Sequence, residues 1–255
     1  MIKLTETAIR EKEHHEIRYK TGKKLRGTVS KAYLATEYAK FRKNIFNDIY
    51  DKKVLEIGCG IGVEKAQDFI KNRGCSYIGV DVSEKCIEFN NKEAKKISLD
   101  ASFIVEDANL LTSLKGKKFD HILMSGVLHH LELNLALPTL KKFLEKNGTI
   151  VMSEPMGTNF IINFFRSITP LIRTRDEHPL TFKDLEYIKK IFPNTKYELH
   201  SIFSILLIPF AFIPINLFQK LLRKISLKIG YIDSKIANIP IIKRLSWVVL
   251  VVSKN

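Results

Sequence analysis

Val54-Leu55-Glu56-Ile57-Gly58-Cys59-Gly60-Ile61-Gly62 is the stretch whose reading decides the fold. Lys53–Ile57 is a short apolar run of strand composition, and it stops in a turn with glycine at three alternate positions. A turn that lets a nucleoside and a charged tail approach the backbone needs residues without Cβ. The helix expected next, Val63–Asn72, then points its N-terminus at the ligand. A nicotinamide site would require G-x-G-x-x-G, but counted from Gly58 the last glycine position is Val63, so the dinucleotide fingerprint fails.

Outward from the turn, short β-branched runs alternate with helical ones, which predicts a mostly parallel sheet with crossover helices. The expected strands are Lys53–Ile57, Tyr77–Val80, Phe103–Val105, Phe119–Met124, Thr149–Ser153, Tyr197–Leu199 and Trp247–Val252. Helices are expected over Glu84–Ile97 after an N-cap at Ser83, over Leu135–Glu145 before a C-cap at Asn147-Gly148, and from Thr181 to Ile191. The fold class is therefore α/β, a Rossmann-like seven-stranded mostly parallel sheet with helices on both faces. The chain divides into an N-terminal helical segment, 1–50, which includes an amphipathic stretch at Ala32–Phe41, and a core, 51–200. An apolar and basic helical insertion, 201–244, precedes the last core strand, 245–255.

Acidic residues recur where these strands end. Asp81 lies 19 residues beyond Gly62, at a spacing where a carboxylate can take both hydroxyls of a ribose. Glu106-Asp107-Ala108 and Ser125-Gly126 follow the third and fourth strands, at the edge where open α/β sheets bind ligands.

The net charge of +15 is uneven: residues 1–53 hold 14 Lys+Arg against 7 Asp+Glu, 54–200 hold 20 against 19, and 201–255 hold 8 against 1. Basic flanks attract phosphates, on nucleic acid or on an anionic membrane. Leu199–Gln219 carries no Lys, Arg, Asp or Glu and is followed by Lys220, Arg223, Lys224 and Lys228. With Pro209 and Pro214 inside it, the segment reads as an interfacial element or as a buried cap over the site rather than a full span. Cys59, Cys75 and Cys86 show neither paired nor metal-ligand spacing, and Met1–Thr7 lacks a signal-peptide pattern. Reduced thiols, no metal and a cytoplasmic location, peripheral at the inner face of the membrane in the interfacial reading, are the expectations.

The order Val-Leu-Glu-Ile-Gly-Cys-Gly-x-Gly, Gly-Val-Asp, Glu-Asp-Ala, Phe-Asp-x-Ile and Leu-His-His, over roughly residues 45 to 155, resembles the class I S-adenosylmethionine-dependent methyltransferases. The resemblance implies S-adenosylmethionine as cofactor and S-adenosylhomocysteine as product. Glu56 and the loop Gly58, Cys59, Gly60 and Gly62 would hold the methionine end, and Asp81 the ribose. Val82 would pack on the adenine, Asp107 with Ala108 would face its amino group, and Ser125 and Gly126 would lie along the methionine moiety.

Methyl transfer from a sulfonium is an in-line displacement, and a base helps when the acceptor is a hydroxyl. His129 and His130, just past the fourth strand, are the candidates, one facing substrate and the other stacked into the fold, with His178 a further one. Family members that methylate nucleic-acid bases at nitrogen usually carry Asn/Asp-Pro-Pro-aromatic where this chain has Met124-Ser125-Gly126-Val127, which lowers nucleic acid as a partner. Glu154-Pro155, Thr158-Asn159 and Asp176-Glu177-His178-Pro179-Leu180 look similar to a bacterial group of small-molecule members, whose insert, here about 155–180, covers the acceptor. Glu154, Arg166, Arg173 and Arg175 would then contact it. The leading expectation is O-methylation of a small-molecule or membrane-located lipid, glycan or quinone-like acceptor. An RNA or protein N-methyltransferase and a non-catalytic cofactor-binding regulator are the alternatives.

Overall fold

The computed structural model describes residues 4–20, 43, 45–168, 174, 176–207, 210, 213, 216–237 and 239–255. The amphipathic stretch expected at Ala32–Phe41 lies outside them. Seven strands form one sheet in the order β3-β2-β1-β4-β5-β7-β6. They are β1 Lys53–Ile57, β2 Ser76–Asp81, β3 Ser102–Val105, β4 Phe119–Ser125, β5 Leu144–Pro155, β6 Asn194–His200 and β7 Val248–Lys254. β1 to β5 pair in parallel, whereas β7 runs antiparallel to both β5 and β6. The strand order reverses at β1, which lies between β2 and β4, and a crevice opens at such a switch point beyond the carboxyl ends of the strands.

Strand alternation gives the sheet two cores. Leu55, Ile57, Ile122, Met124, Ile150 and Val249 point to one face, where α4 (Leu133–Phe143) and α6 (Phe182–Ile191) bury Leu137, Leu140, Leu185 and Ile188. Val54, Tyr77, Leu123, Val151 and Leu250 point to the other. There α2 (Val63–Gln67), its π-helical continuation Asp68–Asn72 and α3 (Glu84–Lys96) bury Ala66, Phe69, Ile87 and Ala94. Both faces are covered, as the near-continuous apolar runs of the central strands require.

Several helix ends follow their capping residues. The Ser83 hydroxyl accepts from Cys86 N, and Thr181 forms a reciprocal capping box with Asp184. The expected C-cap at Asn147-Gly148 is corrected: α4 ends at Phe143, Leu144 is already extended, and residue 144 pairs with Phe119. The chain enters the sheet earlier than its glycine suggested because Leu144 is buried there.

Two further helices are α1 (Glu6–Lys20) and α5 (Phe160–Ser167), and α7 (Asn216–Ile236) precedes β7. In the apolar segment, Ser204–Leu207 is a single 3-10 turn. Asp233 of α7 holds its start by accepting from the backbone N of Ile202 at 3.0 Å, Phe203 at 2.9 Å and Ser204 at 3.1 Å. Among the described residues no helix is long and apolar enough to cross a membrane.

His200, buried at the end of β6, has its pKa pushed down to about 4, chiefly by desolvation. The unfolded chain therefore binds a proton there that the folded chain refuses. Stability from this group is complete above an unfolded-state pKa of about 6.5 and is lost as pH falls from there towards 4, by up to about 3 kcal/mol. Chemical denaturation across that range should show this acid-side slope, and His200→Gln should flatten it.

Candidate active site

The turn after β1 is built by two left-handed glycines. Gly58 has φ +66° and Gly60 φ +51°. A Cβ on Gly58 would overlap the Val127 side chain, so the backbone here lies directly on the loop that follows β4. A Cβ on Gly60 would meet nothing within 4 Å, because that residue faces open space. Gly62 is turned away from that space, and its N donates at 3.1 Å to Oδ1 of the buried Asn90, whose Nδ2 donates to Gly60 O at 2.6 Å. Asn90 of α3 thus braces the turn from behind.

The open space is a cleft of about 220 Å³ at the carboxyl ends of β1 to β4. Gly58, Gly60, Asp81, Val82, Asp107, Ala108, Ser125 and Gly126 line it, together with Ile57, Val80, Glu106, Val127, Leu131 and His130. Asp81 Oδ2 accepts from Gly60 N at 2.8 Å, and Oδ1 accepts from Ser83 N at 2.9 Å. These bonds fix the carboxylate while each oxygen keeps a lone pair for a hydroxyl donor. The lining has the character a nucleoside with a charged tail needs: backbone without Cβ at the turn, one oriented carboxylate, and an apolar slot at Val80, Val82 and Ala108.

Three expected cofactor residues lie elsewhere. Glu56 is buried and pairs with Lys65 and with the Tyr77 hydroxyl on the opposite face of β1. Period-two alternation requires this, since Ile57 is the β1 residue that reaches the cleft. Cys59 is buried in the core beside Gly79, and desolvation pushes its thiol pKa far up. Gly62 is engaged by Asn90.

The two histidines separate sharply. His129 is buried, and its Nδ1 lies 2.7 Å from Glu154 Oε2. Glu154, 1% exposed, also accepts from the backbone N of Val127 at 3.1 Å, Leu128 at 3.0 Å and His129 at 3.4 Å. Its carboxylate therefore fastens the loop after β4, which corrects its expected role as an acceptor contact. His130 faces the cleft, with Nδ1 3.2 Å from Glu11 Oε2 and 3.4 Å from Thr174 Oγ1. The His178 ring stands on the surface beside Asp184 at 3.3 Å, away from the cleft, because its backbone N is the group tied to His129 O. Arg166 bonds Met156 O and Asn163, while Arg173 and Arg175 lie outside the described residues.

Helix α1 closes the cleft from above, a contact no local pattern announced. Ala8 and Glu11 line it, and Thr5 N donates to Asp107 Oδ2 at 2.7 Å. The other oxygen of Asp107 accepts from Asn109 N and Nδ2 at 2.8 and 3.0 Å. Among the described residues no group of three or more His, Cys, Asp or Glu could hold a metal ion.

Comparison with known proteins matches residues 50–197 to the family described as "Methyltransferase domain". The chain belongs to the class I S-adenosylmethionine-dependent methyltransferases. Curated relatives include a ubiquinone biosynthesis O-methyltransferase from Pelagibacter ubique, 32% identical over 102 residues, covering 40% of this chain and 41% of that one. Another, from Actinobacillus pleuropneumoniae serotype 5b, is 26% identical over 157 residues, covering 60% and 59%. The chain thus spans between two fifths and three fifths of these relatives. Among solved structures, a SAM-dependent methyltransferase from Archaeoglobus fulgidus shares the fold, with TM-score 0.53, 23% identity and coverage of 86% of this chain and 94% of that one.

Proposed function

We propose that this methyltransferase transfers the methyl group of S-adenosylmethionine to a hydroxyl oxygen of a small, largely apolar acceptor such as a quinone-precursor phenol, with His130 as the base. The observation that carries this reading is that one histidine, His130, lines the cleft with its Nδ1 3.2 Å from Glu11 Oε2. A proton kept on Nδ1 by Glu11 leaves Nε2 as the lone pair available to the acceptor. His129 stays outside the reaction, held by Glu154 as part of the wall.

The turn at Gly58 and Gly60 would take the methionine end, Asp81 the ribose hydroxyls, and Val82, Asp107 and Ala108 the adenine. When bound, the cofactor supplies an electrophilic methyl on a sulfonium. His130 would take the acceptor proton as the acceptor oxygen gains the methyl group. The protein's share is alignment, exclusion of water beneath α1, and removal of that proton. The names of the ubiquinone biosynthesis relatives support the choice of oxygen and of an aromatic ring. A lipid-linked form of the acceptor, cytoplasmic placement and peripheral contact with the membrane belong to the same proposal.

The test is methyl incorporation from labelled S-adenosylmethionine into phenols and catechols with and without an alkyl tail, with bulk RNA and protein as competing acceptors. Transfer to the ring hydroxyl supports the proposal, and transfer confined to RNA or protein overturns it. No transfer to any acceptor, with cofactor still bound, would leave a non-catalytic binder. His130→Ala should lower kcat roughly a hundredfold while S-adenosylhomocysteine still binds. An unchanged kcat would remove the histidine from the chemistry.

A further inference from the structure

We infer that α5 and the outer face of α7 dock the protein on an anionic lipid bilayer beside the mouth of the cleft. Helix α5 is apolar on the wrong side for a soluble surface. Phe160 and Phe164 are each 68% exposed, Ile161, Phe165 and Ile168 are exposed as well, and Ile162 is the buried one. Polar bonds hold the helix in place. Asn159 Oδ1 caps it from Ile161 N and Ile162 N, Asn159 Nδ2 donates to Leu245 O, and Asn163 Nδ2 donates to Gly157 O at 2.7 Å. The bond to Leu245 brings α5 next to the turn Ile242–Leu245, which follows Ile239 and Ile241, the latter 83% exposed, and carries Lys243 and Arg244.

The outward side of α7 repeats the pattern. Leu217, Leu221 and Ile225, exposed at successive i,i+4 positions, run beside Lys220, Lys224 and Lys228, while Leu222, Ser226 and Asp233 face the protein. Apolar side chains interleaved with lysines on one helix face are what a membrane interface selects.

Charge decides the occupant. Residues 201–255 contain eight Lys+Arg and a single acid, Asp233, which is buried and bound by three backbone donors. A second copy of the chain would set cation against cation across the patch, whereas anionic lipid headgroups complement it. In this proposal the interfacial stretch expected within 201–228 and α5 act together, α7 presenting Leu217, 79% exposed, and α5 presenting Phe160 and Phe164. Helix α5 starts just after Glu154, at the sheet edge where the cleft opens, so an acceptor could pass from the bilayer to His130. The docking deepens the peripheral membrane contact proposed above, and this last step also rests on the proposed acceptor.

The experiment is flotation of the full chain with vesicles of phosphatidylcholine alone or mixed with phosphatidylglycerol. Strong partitioning with the anionic vesicles is expected, weakened at 1 M salt by about one order of magnitude or more as the Debye length shortens. Phe160→Ser with Phe164→Ser should cut it roughly tenfold or more, and Lys220→Glu with Lys224→Glu should abolish the preference for anionic lipid. Unchanged S-adenosylhomocysteine binding by each variant shows that the fold and the cofactor reading stand independently. Absence of partitioning, or wild-type partitioning by the phenylalanine variant, overturns the inference. A concentration-dependent dimer that the phenylalanine variant abolishes would do so too, by giving the face to a second copy.

Discussion

Glu154→Ala should destabilise the fold by about 4 kcal/mol, among the largest effects of any single substitution in the described chain. The carboxylate is 1% exposed and accepts three backbone N–H groups, from Val127, Leu128 and His129, besides the His129 ring at 2.7 Å. Removing it leaves four donors without their acceptor in a site closed to water, and the penalty is the desolvation of each. For a domain of this size the thermal midpoint should drop by roughly 8 to 16 °C. Differential scanning calorimetry checks this, with Glu186→Ala as the comparison, since Glu186 is exposed and, among the described residues, pairs with Lys189 at 3.0 Å, and should shift stability by less than about 0.5 kcal/mol. Cofactor binding should weaken in parallel, because the fastened loop carries Val127 against Gly58 and His130 into the cleft.

Gly58→Ala should lose both stability and cofactor binding. An alanine at φ +66° pays for a left-handed backbone, and its Cβ would overlap Val127 in a loop that Glu154 prevents from yielding. Left-handed strain of about 1 kcal/mol and overpacking of about 1–3 kcal/mol combine with displacement of the turn. Affinity for S-adenosylhomocysteine should fall by roughly a hundredfold or more. Gly60→Ala separates the two effects. Its added Cβ meets no protein atom within 4 Å, so the fold should lose only about 1 kcal/mol of backbone strain while the methyl group stands in the cleft and binding is lost. A Gly60→Ala protein that bound normally would show that the ligand lies elsewhere.

The sheet was legible because its signals are local. Alternation, the Ser83 and Thr181 caps and the glycine turn each lie within a few residues of what they determine. Asp81, Asp107 and Ser125-Gly126 come together at the cleft because the parallel strands that carry them end at one edge. The placement of Glu56 away from the cleft does have a local signal: parity along β1 sends residue 57 to the cleft and residue 56 to the far face. Other features had no local signal. Thr5 meets Asp107 and Glu11 meets His130 across more than a hundred residues of chain, and Glu154 looks like a strand-end carboxylate until the loop it fastens is folded over it. The different placement of two adjacent histidines, His129 held by Glu154 and His130 lining the cleft, is likewise a tertiary fact.

The most direct test is calorimetric titration of the full chain with S-adenosylhomocysteine. The expected result is saturable one-to-one binding in the micromolar range, about −8 kcal/mol, abolished by Asp81→Ala and by Gly60→Ala in proteins that remain folded. Binding that survives both substitutions, or no binding by the wild-type chain, would contradict a cofactor site built on the Gly58–Gly60 turn and Asp81.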